Sequence, residues 1–245
     1  MDQHSAQKEP KNSGAAQNVQ ALEKNASFFA DNDWYKVTQN RLETYRLIAE
    51  SAYHEVQGSK RLLDIGNGGV FIFPIEQIPQ VEAVDVFVEE SFTSRYPKVK
   101  WREMNVLELA DENRFDTVVA INCLHHVIGN SVAQCYENLN RICKVIARAV
   151  EPGGKVVLIE STVPAWFLGF YKLVFPLLLK LWPLRHPPTF QYHFREIQKA
   201  AQQAGLAQVE LALIPKVGNI MTLGIEVPGW MSPILIGKFV FRKPD

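Results

Sequence analysis

With 245 residues, 47% of them hydrophobic, the chain can fill one large α/β domain or two small ones, and its composition excludes disorder over most of its length. Lys plus Arg and Asp plus Glu number 26 each, so the zero net charge lacks the basic excess of a nucleic-acid binder. Three cysteines, Cys123, Cys135 and Cys143, are too few and too close for a disulfide framework and read as reduced core residues of a cytoplasmic protein.

The polar start, MDQHSAQKEPKNSGAAQ, has neither the apolar run nor the cleavage pattern of a signal peptide. Residues 1–20 read as a disordered tail and residues 21–245 as one domain. Leu42, Tyr45, Ile48, Ala52 and Val56 recur at spacings of three and four, which predicts a helix ended by Gly58. Strand-like and helix-like stretches then alternate. RLLDI runs into a glycine cluster, VEAVDV at residues 81–86 carries an acid near its end, and VKWREM precedes Asn105. FDTVVAINC at residues 115–123 is too continuously apolar for a surface sheet. Cys135, Leu139, Ile142, Cys143, Ile146 and Val150 trace an amphipathic helix that stops at Glu151-Pro152-Gly153-Gly154, where glycine is expected to supply a left-handed cap. KVVLIES at residues 155–161 is the next strand. Residues 162–193 interrupt the pattern. HFREIQKAAQQAGL restores a helix, and VELALI and GKFVFRK close the chain as strands. This alternation implies a parallel sheet with helices on both faces.

In open parallel sheets ligands bind at the carboxyl ends of strands, beside the point where strand order reverses. The unusual polar residues of this chain fall at such ends. The first strand runs into Asp64-Ile-Gly66-Asn67-Gly68-Gly69-Val70, where glycines allow backbone N–H groups to approach a ligand at the start of a helix. The dinucleotide fingerprint would need glycine at Phe71, which argues against a nicotinamide-dependent reductase. Asp64 suits a ligand bearing a positive charge, such as an amino-acid ammonium. Asp85, twenty-one residues on, can accept from both hydroxyls of a ribose.

LLDIGNGGV, AVDV, MNVLEL, FDTVVAINCLHHV and EPGGKVVLIE resemble, in order and spacing, the successive motifs of class I S-adenosylmethionine-dependent methyltransferases, over roughly residues 60–161. The resemblance implies a doubly wound, seven-stranded, mostly parallel sheet, with an antiparallel strand near the C-terminus, an N-terminal helical cap and S-adenosylmethionine as cofactor. It places Asp64, Gly66, Asn67 and Gly68 along the methionine part, Asp85 on the ribose, Val86 against the adenine, Asn105 facing the adenine amine and the N–H of Val106 toward the ring. Asn122 falls near the reacting methyl. Two positions depart from the family pattern: Val70 stands where a third glycine is usual, and the amide Asn105 where an acid is usual. The chain also lacks the Asn/Asp-Pro-Pro-aromatic motif of enzymes that methylate base amines, which with the zero charge argues against nucleic acid as substrate.

Methyl transfer to a hydroxyl needs positioning and the removal of a proton, and His125 and His126 are the candidate bases, His125 preferred. No carboxylate cluster at ligand spacing points to magnesium, and no Cys or carboxylate joins His186 and His193 into a metal site. Residues 163–184 are the most apolar of the chain, but Pro164, Pro176, Pro183, Lys172 and Lys180 break them as a membrane span. We read residues 162–193 as a lid over an apolar acceptor, with a dimer interface or membrane-surface contact as alternatives and with Trp34 and Tyr35 closing the cleft from the other side. The expected activity is methylation of an apolar small molecule or lipid-like metabolite at a hydroxyl. The alternative is a non-catalytic cofactor-binding or scaffold subunit.

Overall fold

The computed structural model describes residues 43–181, 188–214, 217–220, 225–228 and 232–245. The expected tail, Trp34, Tyr35, Leu42 and His186 lie outside them. In chain order the elements are α1 (Glu43–Val56), β1 (Arg61–Ile65), β2 (Gln80–Asp85), α2 (Glu90–Arg95), β3 (Lys100–Glu103), β4 (Phe115–Ile121), α3 (Val132–Ala149), β5 (Val150–Thr162), α4 (Ala165–Leu181), α5 (Phe194–Gln203), β6 (Ala207–Leu213), β7 (Val217–Ile220), β8 (Ile225–Pro228) and β9 (Leu235–Arg242).

Seven strands form one sheet in the order β3-β2-β1-β4-β5-β9-β6, and β7 pairs with β8 in a separate hairpin. β3, β2, β1, β4 and β5 run parallel, while β9 is antiparallel to both its neighbours, β5 and β6. The doubly wound class and its antiparallel C-terminal strand are therefore as expected. The order reverses between β1 and β4, so a crevice opens over their carboxyl ends.

The apolar runs of β1 and β4 are buried because both sheet faces are covered. On one face α3, α4 and α5 enclose Leu63, Val118, Leu139, Ile146, Phe175, Phe190 and Ile197. On the other, Ile48, Ala52 and Val56 of α1 pack with Leu62, Phe71, Phe73, Val119 and Val157. Glu55 anchors α1 further: it accepts from Lys238 of β9 at 3.0 Å, and its carbonyl accepts from Lys155 of β5 at 2.6 Å.

Three local expectations are corrected. The glycine loop after β1 leads into no helix: residues 66–79 are turns and bends. Fourteen residues separate the two strands, the glycines occupy the first of them, and Pro74 and Pro79 leave no uninterrupted stretch long enough to nucleate a helix. Phe71 and Phe73 of this stretch are buried against α1 and the sheet. Secondly, α3 is capped by Val150 in an extended conformation, its N–H donating to Ile146. Val150 thus begins β5, and the left-handed Gly153 (φ +72°) serves the strand, donating to Lys243 at 2.9 Å. Finally, α2 and the β7–β8 hairpin were not expected from the sequence.

Candidate functional site

The carboxyl ends of β1, β2, β4 and β5 gather the residues picked out in the sequence. Gly66 has φ +69°, and a Cβ there would lie 2.4 Å from the sulfur of Cys123, so the turn after β1 requires glycine on both counts. Its N–H donates to Val84 of β2 at 2.8 Å. Gly68, also left-handed at φ +63°, faces open space: a Cβ built on it would meet no atom within 4 Å.

Asp85 ties the second strand end to this loop. One of its carboxylate oxygens accepts from the Gly68 N–H at 2.9 Å and the other from the Phe87 N–H at 3.3 Å. Each oxygen keeps a further lone pair for a ligand. Burial raises the pKa of Asp85 despite these backbone donors. Asp64 is more extreme. It is 3% exposed, and burial, with the charge of Asp85 adding, pushes its pKa up to about 7 against the hydrogen bond from Asn67. Asn67 donates to Asp64 at 3.3 Å and accepts from the Gly69 N–H at 2.8 Å, which locks the loop.

The third strand end is reached through Met104, whose N–H donates to the Asp85 carbonyl at 2.8 Å. Val106 is buried there. Asn105, expected to face a ligand amine, instead caps the short 3-10 turn Val106–Glu108, its side-chain oxygen accepting from Leu107 at 3.0 Å. A short polar side chain before a tight turn satisfies an otherwise unpaired N–H, and that local demand takes the oxygen first. Val86 immediately follows β2.

After β4, Asn122 adopts φ +50°, a conformation Asn tolerates, and its side-chain oxygen is buried with no hydrogen-bond partner among the described residues. Cys123 follows it. The carboxylates of Glu160, Asp85 and Asp64 all add to the effect of burial in raising its thiol pKa well above normal. Cys123 is thus a neutral buried residue beside the turn after β1.

His125 and His126 lie in the next turn, their rings 4.3 Å apart. The two part in role. His125 is buried, and its Nδ1 hydrogen-bonds the carboxylate of Glu160, which is 0% exposed. Glu160 also accepts from the N–H of Leu124 at 2.6 Å and of Ser161 at 2.8 Å. Receiving donors on both oxygens is the pattern of an ionised carboxylate, which makes Nδ1 of a neutral His125 the protonated nitrogen and leaves Nε2 the lone pair. His126 is only partly buried. Ser161 adds a bond to Gln191 at 2.6 Å, and the Phe190 N–H donates to the His125 carbonyl at 2.9 Å, so residues 189–193 wall the histidine on the side of α4.

Glu160 is the residue that sequence reasoning missed. The signal was present: it is a carboxylate at the carboxyl end of an apolar strand, like Asp64 and Asp85. His193, by contrast, has a structural task. It caps α5 by accepting from Arg195 at 3.3 Å, while its own N–H donates to Glu196 at 3.0 Å. Burial lowers its pKa, which keeps the accepting nitrogen unprotonated. Among the described residues no group of three His, Cys, Asp or Glu side chains could hold a metal ion.

Residues 63–158 match the profile of a methyltransferase domain family. In sequence, no curated protein matches the chain. In fold it is similar to a geranyl diphosphate C-methyltransferase from Streptomyces coelicolor, with TM-score 0.63 and 10% identity over 91% of this chain and 98% of that one. It is also similar to the N-methyltransferase NodS from Bradyrhizobium japonicum (TM-score 0.58, 14% identity, 93% and 99% covered). A third is the 1,6-didemethyltoxoflavin-N1-methyltransferase from Burkholderia thailandensis (TM-score 0.57, 14% identity, 99% and 93% covered). Each of the three was crystallised with S-adenosylhomocysteine.

Proposed function

We propose that this chain is a class I S-adenosylmethionine-dependent methyltransferase that methylates a hydroxyl of an apolar small molecule or lipid-like metabolite in the crevice over β1 and β4. S-adenosylmethionine, when bound, supplies an electrophilic methyl on a sulfonium. Three features of the crevice fit it. The neighbouring acids Asp64 and Asp85 favour a cation, the space beside Gly68 admits a ligand against the backbone, and the buried Asn122 oxygen offers an acceptor. Asp64, Gly66, Asn67 and Gly68 would hold the amino-acid end, Asp85 the ribose, Val86 and Val106 the adenine, and Asn122 the part nearest the methyl. Asn105 would contribute its side-chain nitrogen or its second oxygen lone pair, the first being occupied by Leu107.

The observation that carries the acceptor chemistry is the buried pair of His125 and Glu160. Glu160 fixes the ring and its tautomer, and Nε2 of His125 takes the proton of the acceptor hydroxyl. Glu160 is a positioning residue, acting through the histidine. We read α4 and residues 189–193, which reach this pair through the Phe190 N–H and Gln191, as the lid over an apolar acceptor.

The test is turnover of methyl-labelled S-adenosylmethionine with a panel of phenols, prenyl alcohols and amines. Labelled ethers should form. His125→Ala should lower kcat by about 10²–10⁴-fold with cofactor affinity unchanged, and Glu160→Gln should lower kcat and displace its pH profile without raising cofactor Kd. Full activity in His125→Ala, or label found only on amines, would overturn the assignment. Tight cofactor binding without turnover on any acceptor would favour the scaffold reading.

A further inference from the structure

Helix α4 is apolar around most of its circumference, yet the domain covers only one side of it. Tyr171 and Phe175 turn inward against Phe190, with ring centroids 5.5 and 4.7 Å away. On the opposite side Trp166, Phe170, Leu173 and Leu177 remain 67%, 60%, 78% and 56% exposed. Their spacing of four, three and four residues places them in one straight stripe. Large apolar side chains scattered singly on a surface need no explanation, but four in line on one helix do.

From these observations we propose that the outer face of α4 docks the protein on an anionic lipid surface. The charge pattern fits that occupant. Residues 163–188 contain Lys172, Lys180 and Arg185 and not one Asp or Glu, in a chain whose acids and bases number 26 each. Lys172 is engaged with Glu196 at 2.9 Å, whereas Lys180 is exposed in the last turn of the helix. An aromatic and aliphatic stripe flanked by cations and free of acids is the composition of a helix lying in the headgroup region. The helix lies there and does not cross: no helix of the described residues is long and apolar enough to span a membrane.

The area argues against a second copy of this chain as occupant. The four side chains expose roughly 500 Å² together, taking ordinary areas for aromatic and aliphatic side chains. A stable protein interface buries about 800 Å² on each partner. A bilayer imposes no such minimum, since the apolar stripe need only sink about 5–10 Å into the headgroup boundary.

The test is sedimentation of the full chain with phosphatidylcholine vesicles, with and without phosphatidylserine. The wild type should sediment with the anionic vesicles, and added salt should release part of it. Phe170→Glu and Leu173→Glu should each weaken this partition by at least about tenfold, since each removes apolar area and adds a negative charge. Lys180→Glu should weaken binding to phosphatidylserine vesicles and spare any residual binding to neutral ones. These side chains are exposed, so thermal unfolding should match the wild type; Leu173→Ser, which adds no charge, serves if either acidic variant fails to fold. Absence of wild-type sedimentation, or equal sedimentation by the stripe variants, would overturn the proposal. So would a dimer, seen by light scattering without lipid and dissociated by Phe170→Glu. Because the readout is vesicle binding, failure here leaves the methylation reading untouched.

Discussion

Asp64 is a carboxyl that the fold keeps at the edge of ionisation, with a pKa raised by burial to about 7. A ligand cation beside it favours the ionised form, so cofactor binding and loss of this proton are linked. Affinity for S-adenosylmethionine should fall by about tenfold as pH drops from about 8 to about 6, and the dependence should vanish in Asp64→Asn; calorimetry across that range checks both. The same shift acts on the free protein in the opposite sense. A carboxyl with a raised pKa contributes stability that is full below about pH 4 and is lost as pH rises from there through about 7, so Asp64→Asn should raise Tm more at pH about 8 than at pH about 4. Asp85 gives a simpler test: Asp85→Ala should weaken cofactor binding by at least about tenfold, through two lost charge-assisted bonds, with the fold retained. Gly66→Ala should cost at least about 2 kcal/mol in denaturant unfolding, because its methyl meets Cys123 and its backbone is left-handed. At this scale the two acids and the glycines were legible because each stands out from an apolar run. Asn105 was not, since the same amide serves a ligand or a turn equally well on paper. The choice of His125 for Glu160's partner was equally hidden, because it depends on where the fifth strand ends relative to the fourth.

Among the elements, α4 separates periodicity from placement. The sequence marked residues 163–184 as the most apolar of the chain, which leaves Phe170 and Phe175 indistinguishable. The structure distinguishes them sharply. Phe175→Ala should cost about 3–5 kcal/mol in unfolding free energy, as for a fully buried aromatic, whereas Phe170→Ala should stay within about 0.5 kcal/mol. Equal costs would show that the helix is turned differently on the core. The strands and α3 were readable because their apolar runs are long and strictly patterned. The β7–β8 hairpin lacked such a run, and the short α2 carries only six residues, too few for a period to declare itself. The helix expected after the glycine loop failed for a local reason. Pro74 and Pro79 interrupt the stretch where that helix would run.

Across the whole molecule, long-range pairs finish what local patterns begin. Lys238, nearly buried on β9, reaches Glu55 of α1 at 3.0 Å and Glu210 of β6 at 2.8 Å, tying sequence-distant elements across 183 residues. No spacing rule announces such a pair, although the alternation of strands and helices announced the parallel sheet. The unhelical passage from β1 to β2 has a wider consequence. A helix would have given residues 66–79 a ladder of internal bonds; instead Val70 and Ile78 donate within their own turns, and the loop is held by Gly66 and Gly68 on β2, by Asn67 on Asp64 and by the buried rings of Phe71 and Phe73. Such a segment opens without the rest of the domain unfolding. In deuterated water its amides should therefore exchange well before those of β1 and β4. Saturating cofactor should slow residues 66–70 most, because the loop would then close around a bound molecule in place of a missing scaffold. The donor site of this protein would thus be completed by its own ligand, and part of the binding free energy would be spent as lost chain entropy.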